Sequence, residues 1–418
     1  MATIDTARLR FPALVLALCM VAVSSAPAIA DDGAATGGFA TGPNPDYGMA
    51  AGNWLVYPEL FAGIAVSDNP GMSPTGQKTS MGPRVKPSFQ AVNDAGLHHW
   101  EVYAGVDGQF YQTGNTSNQV QARAGVADTF DATPNLTIKA LLDYTRQIGL
   151  NSVFGAGVTP VVQSANTASS TSSLVYNQYT ASLSGLQKFN RFYVQPEAQV
   201  QALSYEGKGA YAGNNSIDAS LGMRFGYDLT SDLSAFVDPT YQNFSYRSSR
   251  LNTNGYRVIA GLASKQIGLW GGELYAGYQS HSGAAAIRGS VGAPIVGGRL
   301  SYYPTEQLNF GLSADQSVGS YGASASSASY SRSSRYELDA NYTFSSYWSA
   351  RARAAYDSTK YSTFGTHTDM SIAGFGVSYA FWHNLAVTGE YQYTKSSTNS
   401  ANSNWDENLF TVGLTYRY

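Results

Sequence analysis

Charged side chains set at every second position are the first chemistry this chain offers. In "SARARAAYD", residues 349–357, Arg351, Arg353 and Asp357 alternate with Ala352, Ala354 and Tyr356. "SSRYELDANYTFS", residues 333–345, repeats the pattern: Arg335, Glu337 and Asp339 alternate with Tyr336, Leu338, Ala340, Tyr342 and Phe344. Successive side chains leave a strand on opposite faces, so each stretch builds a wall with one charged side. Opposed carboxylates and guanidiniums on neighbouring strands would set up a transverse field able to select solutes by charge. Covalent and metal chemistry lack their parts. No GxSxG, HExxH or HxSNG stretch occurs, and the histidines are His98, His99, His281, His367 and His383. His98 and His99 are neighbours in a strand pattern, so they point to opposite faces rather than at one metal. Cys19 is the one cysteine. The expectation is a protein without catalysis, cofactor or metal.

Projecting the alternation along the chain gives a candidate pore lining. Its basic members are Arg84, Lys86, Arg123, Lys139, Arg224, Arg257, Lys265, Arg299, Arg335, Arg351, Arg353 and Arg417. The acidic members are Glu101, Asp107, Asp143, Glu197, Asp218, Asp228, Asp238, Glu273, Asp315, Glu337, Asp339, Asp357 and Glu390. The signs nearly balance, so no net ion preference follows. Alternatively, many of these groups simply pair across strands and keep the wall solvated.

The elements that must carry this wall are strands. Charged residues make up only 13% of the 418, mean hydropathy is −0.20, and 30 tyrosines and 43 glycines stand out. The long apolar run, "FPALVLALCMVAV" at 11–23, follows Arg8 and Arg10 and precedes "APAIA". It is too short to span a bilayer and reads as a cleaved signal peptide, residues 1–30. Cys19 lies inside it, which leaves the mature chain without a thiol. Without Arg8, Arg10 and Asp5 the formal charge moves from −3 to −4, which offers nothing to nucleic acid. Residues 31–53, rich in Gly, Ala and Pro, read as a flexible periplasmic leader.

From Trp54 to Tyr418, segments of period-two alternation recur, about 18 in number with 16 as the alternative count. Most are longer than soluble strands. Short connections such as "TPN", "FNR" and "WHN" alternate with longer ones such as "SSRLNTNG" and "SSTNSANSNWD". Short turns at one rim and long loops at the other, with a charged face too polar for a packed core, predict a transmembrane antiparallel up-and-down β-barrel over 54–418. Phe189, Phe192, Trp270, Tyr302, Phe344, Trp348, Phe381, Trp382 and Tyr418 gather next to the short turns, as an aromatic girdle at a membrane interface does.

Two stretches carry a resemblance. "LFTVGLTYRY", residues 409–418, resembles the C-terminal signal of bacterial outer-membrane barrels, which implies recognition by their assembly machinery. That pattern ends most often in Phe, and Tyr418 departs from it. "YPELFAGIAVSDNP", residues 57–70, resembles the first strand of the putative beta-barrel porin 2 family, with its early Pro and its "xDN" after the strand. The resemblance implies an outer-membrane location in a Gram-negative envelope. In general porins the third long loop folds inward, so residues 149–173, uncharged in their middle, are expected to narrow the lumen without selecting charge. An ordinary solvated loop is the alternative. Residues 31–53 are too few for the plug of a TonB-dependent transporter. The leading expectation is a passive porin for small hydrophilic solutes. The alternatives are a barrel of a surface-polysaccharide export or other envelope complex, and a non-conducting structural barrel. The apolar outer face would meet lipid, and would equally serve a homo-oligomer interface.

Overall fold

The computed structural model describes residues 48–112, 118–148, 175–206, 215–247, 252–283, 290–321, 329–361, 367–399 and 404–418. The predicted signal peptide, most of the predicted leader and the expected narrowing loop lie outside the described residues. The strands are β1 (Met49–Ala51), β2 (Trp54–Ser67), β3 (Ser80–Ala95), β4 (His98–Gln109), β5 (Gln119–Thr133), β6 (Leu136–Ile148), β7 (Val175–Phe189), β8 (Phe192–Tyr205), β9 (Ser216–Asp228), β10 (Leu233–Tyr246), β11 (Thr253–Ile267), β12 (Trp270–Ser282), β13 (Ser290–Thr305), β14 (Leu308–Tyr321), β15 (Ser329–Thr343), β16 (Trp348–Tyr361), β17 (His367–Trp382), β18 (Leu385–Thr398) and β19 (Trp405–Arg417).

From β2 onward each strand pairs antiparallel with the next. β19 returns to β2, with Arg417 opposite Glu59 and Leu409 opposite Ser67. The result is a closed 18-strand antiparallel barrel, the count read from the alternation. Closure pairs the first strand of the barrel with the last, which is what lipid demands of a sheet. A 14-residue strand such as β2 rises about 46 Å, enough to cross a bilayer at the usual tilt with overhang to spare. The short β1 pairs with Trp54–Val56, the part of β2 that extends past the end of β19. The end of the predicted leader is therefore a docked hairpin arm, held by edge groups that β19 does not reach.

Over most of the wall the two faces divide by parity. Ile64, Leu221 and Val412 stand 57%, 63% and 60% exposed on the outside, while Ala65, Asp238 and Thr411 on the inside are buried. So broad an apolar exterior is the surface that acyl chains cover. The tight-turn rim carries the aromatic side chains: Phe189 and Phe192 flank Asn190, which takes φ 59°, and Trp270 stacks on Tyr302 at 4.2 Å. Phe344 meets Tyr342 at 4.3 Å, Trp348 meets Tyr379 at 4.5 Å, Phe381 meets Trp382 at 5.9 Å, and Tyr418 is exposed beside them. His98 stacks on Phe130 at 4.4 Å at this rim, while His99 turns to Asp94, at 2.7 Å. The two histidines diverge, and no metal-ligating cluster is found among the described residues.

Candidate functional site

The inner wall is built on aromatic rings laid over glycines of the neighbouring strand. Tyr103 lies opposite Gly125, Tyr193 opposite Gly226, Phe236 opposite Gly261 and Tyr275 opposite Gly297. A Cβ on Gly261 would stand 2.8 Å from the Phe236 ring, and one on Gly125 2.5 Å from Tyr103 Cζ. Only glycine leaves room for a ring to lie flat on the sheet there. At the closing seam Phe61 covers Gly63 and Gly413 in the same way. Cations then sit on three of these rings: Lys86 over Phe61 at 4.9 Å, Arg123 over Tyr103 at 4.8 Å and Arg224 over Phe236 at 4.1 Å.

Carboxylates close the charge of these three cations and of several of their neighbours. Arg84 forks onto Asp107 at 3.0 and 2.7 Å, and its Nη1 donates to Thr411 at 3.1 Å. Glu390 reaches across from β18 to Lys86 at 3.5 Å and to Arg351 at 3.6 Å. Arg123 and the Tyr103 hydroxyl both donate to Asp143, at 2.8 and 2.5 Å. Arg224 donates to Glu273 at 2.8 Å and to Asp238 at 3.3 Å, and all three side chains are buried. Arg335 holds Glu337 at 3.0 Å and Asp357 at 3.5 Å, while Arg353 bonds Glu337 and approaches Asp339 at 3.6 Å. Arg417 donates to Glu59, a carboxylate absent from the expected lining, at 2.7 Å.

The remaining candidates are less engaged. Gln90 donates to Glu101 at 2.8 Å, Glu197 and Asp218 are half-buried, and Lys139 and Arg299 are exposed inside the barrel. Lys139, Arg257 and Arg299 have no ion-pair partner among the described residues. The charges expected to oppose one another on β15 and β16 do so at contact distance. The strands are direct neighbours, as expected, with Asp339 opposite Arg353 and Arg335 opposite Asp357.

The "SDN" at the end of β2, residues 67–69, locks the closing seam at the long-loop rim. Asp68 accepts from the Asn408 backbone at 2.8 Å and from its amide at 2.7 Å. Asn69, 2% exposed, donates to the carbonyls of Ser73 and Asp406 at 3.0 and 2.8 Å, and Ser67 donates to Glu407 at 2.6 Å. Pro70 accepts from Gln119 on β5 at 3.1 Å, so this first loop leans over the mouth. Asp68→Ala is expected to lower the urea-unfolding free energy of the barrel in lipid by about 1 kcal/mol, the cost of stranding two half-buried donors. An unchanged midpoint would remove the seam lock from consideration.

One further wall element escaped the sequence reading. β13 and β14 pair only from Thr305 opposite Leu308 up to Gly298 opposite Ala314. Beyond that point β14 sits on the lumen side of β12, where the Val318 N–H donates to the inward side chain of Gln279 at 2.9 Å. Pro294 on β13 has no N–H to offer β14, but Pro83, Pro87, Pro196 and Pro239 also lie within paired strands, so it did not mark the departure by itself. The inner aromatics did carry a signal: Phe61 and Tyr103 share the face of Glu59 and Glu101, where alternation calls for polar groups.

Residues 43–418 match the family described as Putative beta-barrel porin 2. No curated protein sequence matches the chain. Among solved structures, the FrpB iron transporter of Neisseria meningitidis is similar at 11% identity and TM-score 0.44, over 89% of this chain and 83% of that one. The siderophore receptor PirA of Pseudomonas aeruginosa aligns at 8% identity and TM-score 0.41, over 87% and 80%. The anion-selective porin of Comamonas acidovorans aligns at 10% identity and TM-score 0.36, over 87% and 99%.

Proposed function

The chain belongs to the Putative beta-barrel porin 2 family, and from that premise we propose that this outer-membrane barrel is a channel for passive diffusion of small hydrophilic solutes. The observation that carries the reading is the inner wall, where an 18-strand circumference is lined by charged groups that pair along the wall. A barrel of this strand number leaves an aqueous lumen instead of filling with side chains. Paired charges wet the wall at little cost and hold few fixed fields, so ions of both signs should pass. No residue of the wall is assigned a catalytic role, and no step requires energy.

Purified protein in a planar bilayer should give steady ohmic steps in KCl. Under a tenfold salt gradient the reversal potential should stay within about 20 mV of zero, because ion pairing leaves little net field in the lumen. Silence at all voltages would reject the passive channel and favour a barrel that serves an export or assembly complex.

A further inference from the structure

We propose that the described ends of β14 and β15 beyond Asp315 and Arg335, residues 316–321 and 329–334, have two seats, an inner one that narrows the lumen and an outer one that completes the wall. This rests on the channel reading for its consequence and on geometry for its existence.

The inner seat is the one observed. Val318 and Tyr330 are 2% and 4% exposed, although Val318 falls on the face of Leu312, and Tyr330 on that of Tyr336 and Leu338. Those neighbours stand 50%, 44% and 48% exposed on the outer wall. Two residues patterned for lipid are thus enclosed. Val318 is held against β12: Gln279 accepts the Val318 N–H while donating to Gln242 at 3.0 Å. Below this point Tyr275 donates to Asp315 at 2.5 Å and pins the hairpin where the ladder stops. A strand layered on a sheet takes about 10 Å from the lumen at that wall.

The outer seat is written in the register. Continuing from Gly298 opposite Ala314 would set Ala293 against Gly319 and Pro294 against Val318. Val318 would then meet lipid as Leu312 does, and Gly319 would bring no side chain into the lumen. Meanwhile the β13 edge is left with substitutes, such as the Pro294 carbonyl accepting from Arg332 at 3.3 Å. Unpaired edge groups favour the outer seat. Pro294 opposes it by denying the ladder one N–H, and the Gln279 bond opposes it from within. Two packings separated by small, opposed terms exchange.

Because the sequence outside residues 1–30 has no cysteine, Ala293→Cys/Gly319→Cys reports the outer seat alone. Directly opposed antiparallel positions lie about 4.5–5.5 Å apart, inside the range a disulfide bridges. The full chain is reconstituted reduced in vesicles, oxidised mildly, and followed by non-reducing gel and by single-channel conductance. The disulfide should form, form several-fold faster when Gln279→Ala is added, and raise conductance by at least about twofold as the lumen widens, reversibly with reductant. Barrels whose thiols still take up maleimide but never cross-link overturn the two seats. Cross-linking without a change of conductance overturns the narrowing. A channel silent both before and after cross-linking counts against the passive-diffusion reading, while the two seats stand.

Discussion

Arg224→Ala lowers the unfolding free energy of the barrel by about 3 kcal/mol, the largest loss expected from one side chain of the inner wall. Asp238 and Glu273, 1% and 7% exposed, share this guanidinium. Removing it leaves two carboxylates to repel each other in a pocket floored by Phe236. The direct cost is the desolvation of both anions, and lumen water that enters the gap lowers it from the deep-interior figure. Neutralising the carboxylates as well, with Asp238→Asn and Glu273→Gln, should return at least half of the loss, since amides tolerate the site without a counter-charge. Urea titration of vesicle-embedded protein by tryptophan fluorescence measures both. A single variant within about 0.5 kcal/mol of the parent, the scatter of ordinary surface changes, would mean that the triad does not hold the wall.

Deleting Tyr418 should act in the opposite way, with a large effect in the cell and a small one in vitro. Its ring is exposed, and its backbone N–H donates to Pro58 at 3.3 Å, a peripheral bond at the seam. Refolding into detergent should therefore proceed with an unfolding free energy changed by no more than about 1 kcal/mol. If the terminal strand is the address read by the assembly machinery, the amount of folded barrel in the outer membrane falls several-fold, and Tyr418→Phe restores it. Equal loss in both assays would make Tyr418 a stability residue and remove the address.

Strand number and direction were legible because lipid imposes one rule on every strand: apolar side chains at alternate positions, for the full thickness of the bilayer. Val412, Leu414 and Tyr416 obey it at the C-terminus, and Ile64 and Leu60 obey it on the strand that receives them. The inner face was legible only as a parity. Periodicity places Arg335 and Arg353 on one side of the sheet, but which carboxylate stands opposite each, Asp357 and Asp339, depends on register, which a single sequence does not print. The rings over glycines were hidden for a related reason. Phe61, Tyr103 and Phe236 break the polar parity, and each break makes sense only beside a glycine on another strand.

Those rings and glycines also bear on how the sequence can drift. Gly261, Phe236 and Arg224 come from three strands, and each is tolerable because of the others: a methyl on the glycine evicts the ring, and without the ring the guanidinium loses its floor. Acceptable replacements at these positions should therefore arrive as sets. A scan of single substitutions will score each site as nearly invariant, while paired libraries exchanging ring and glycine together will recover barrels that no one-step path reaches.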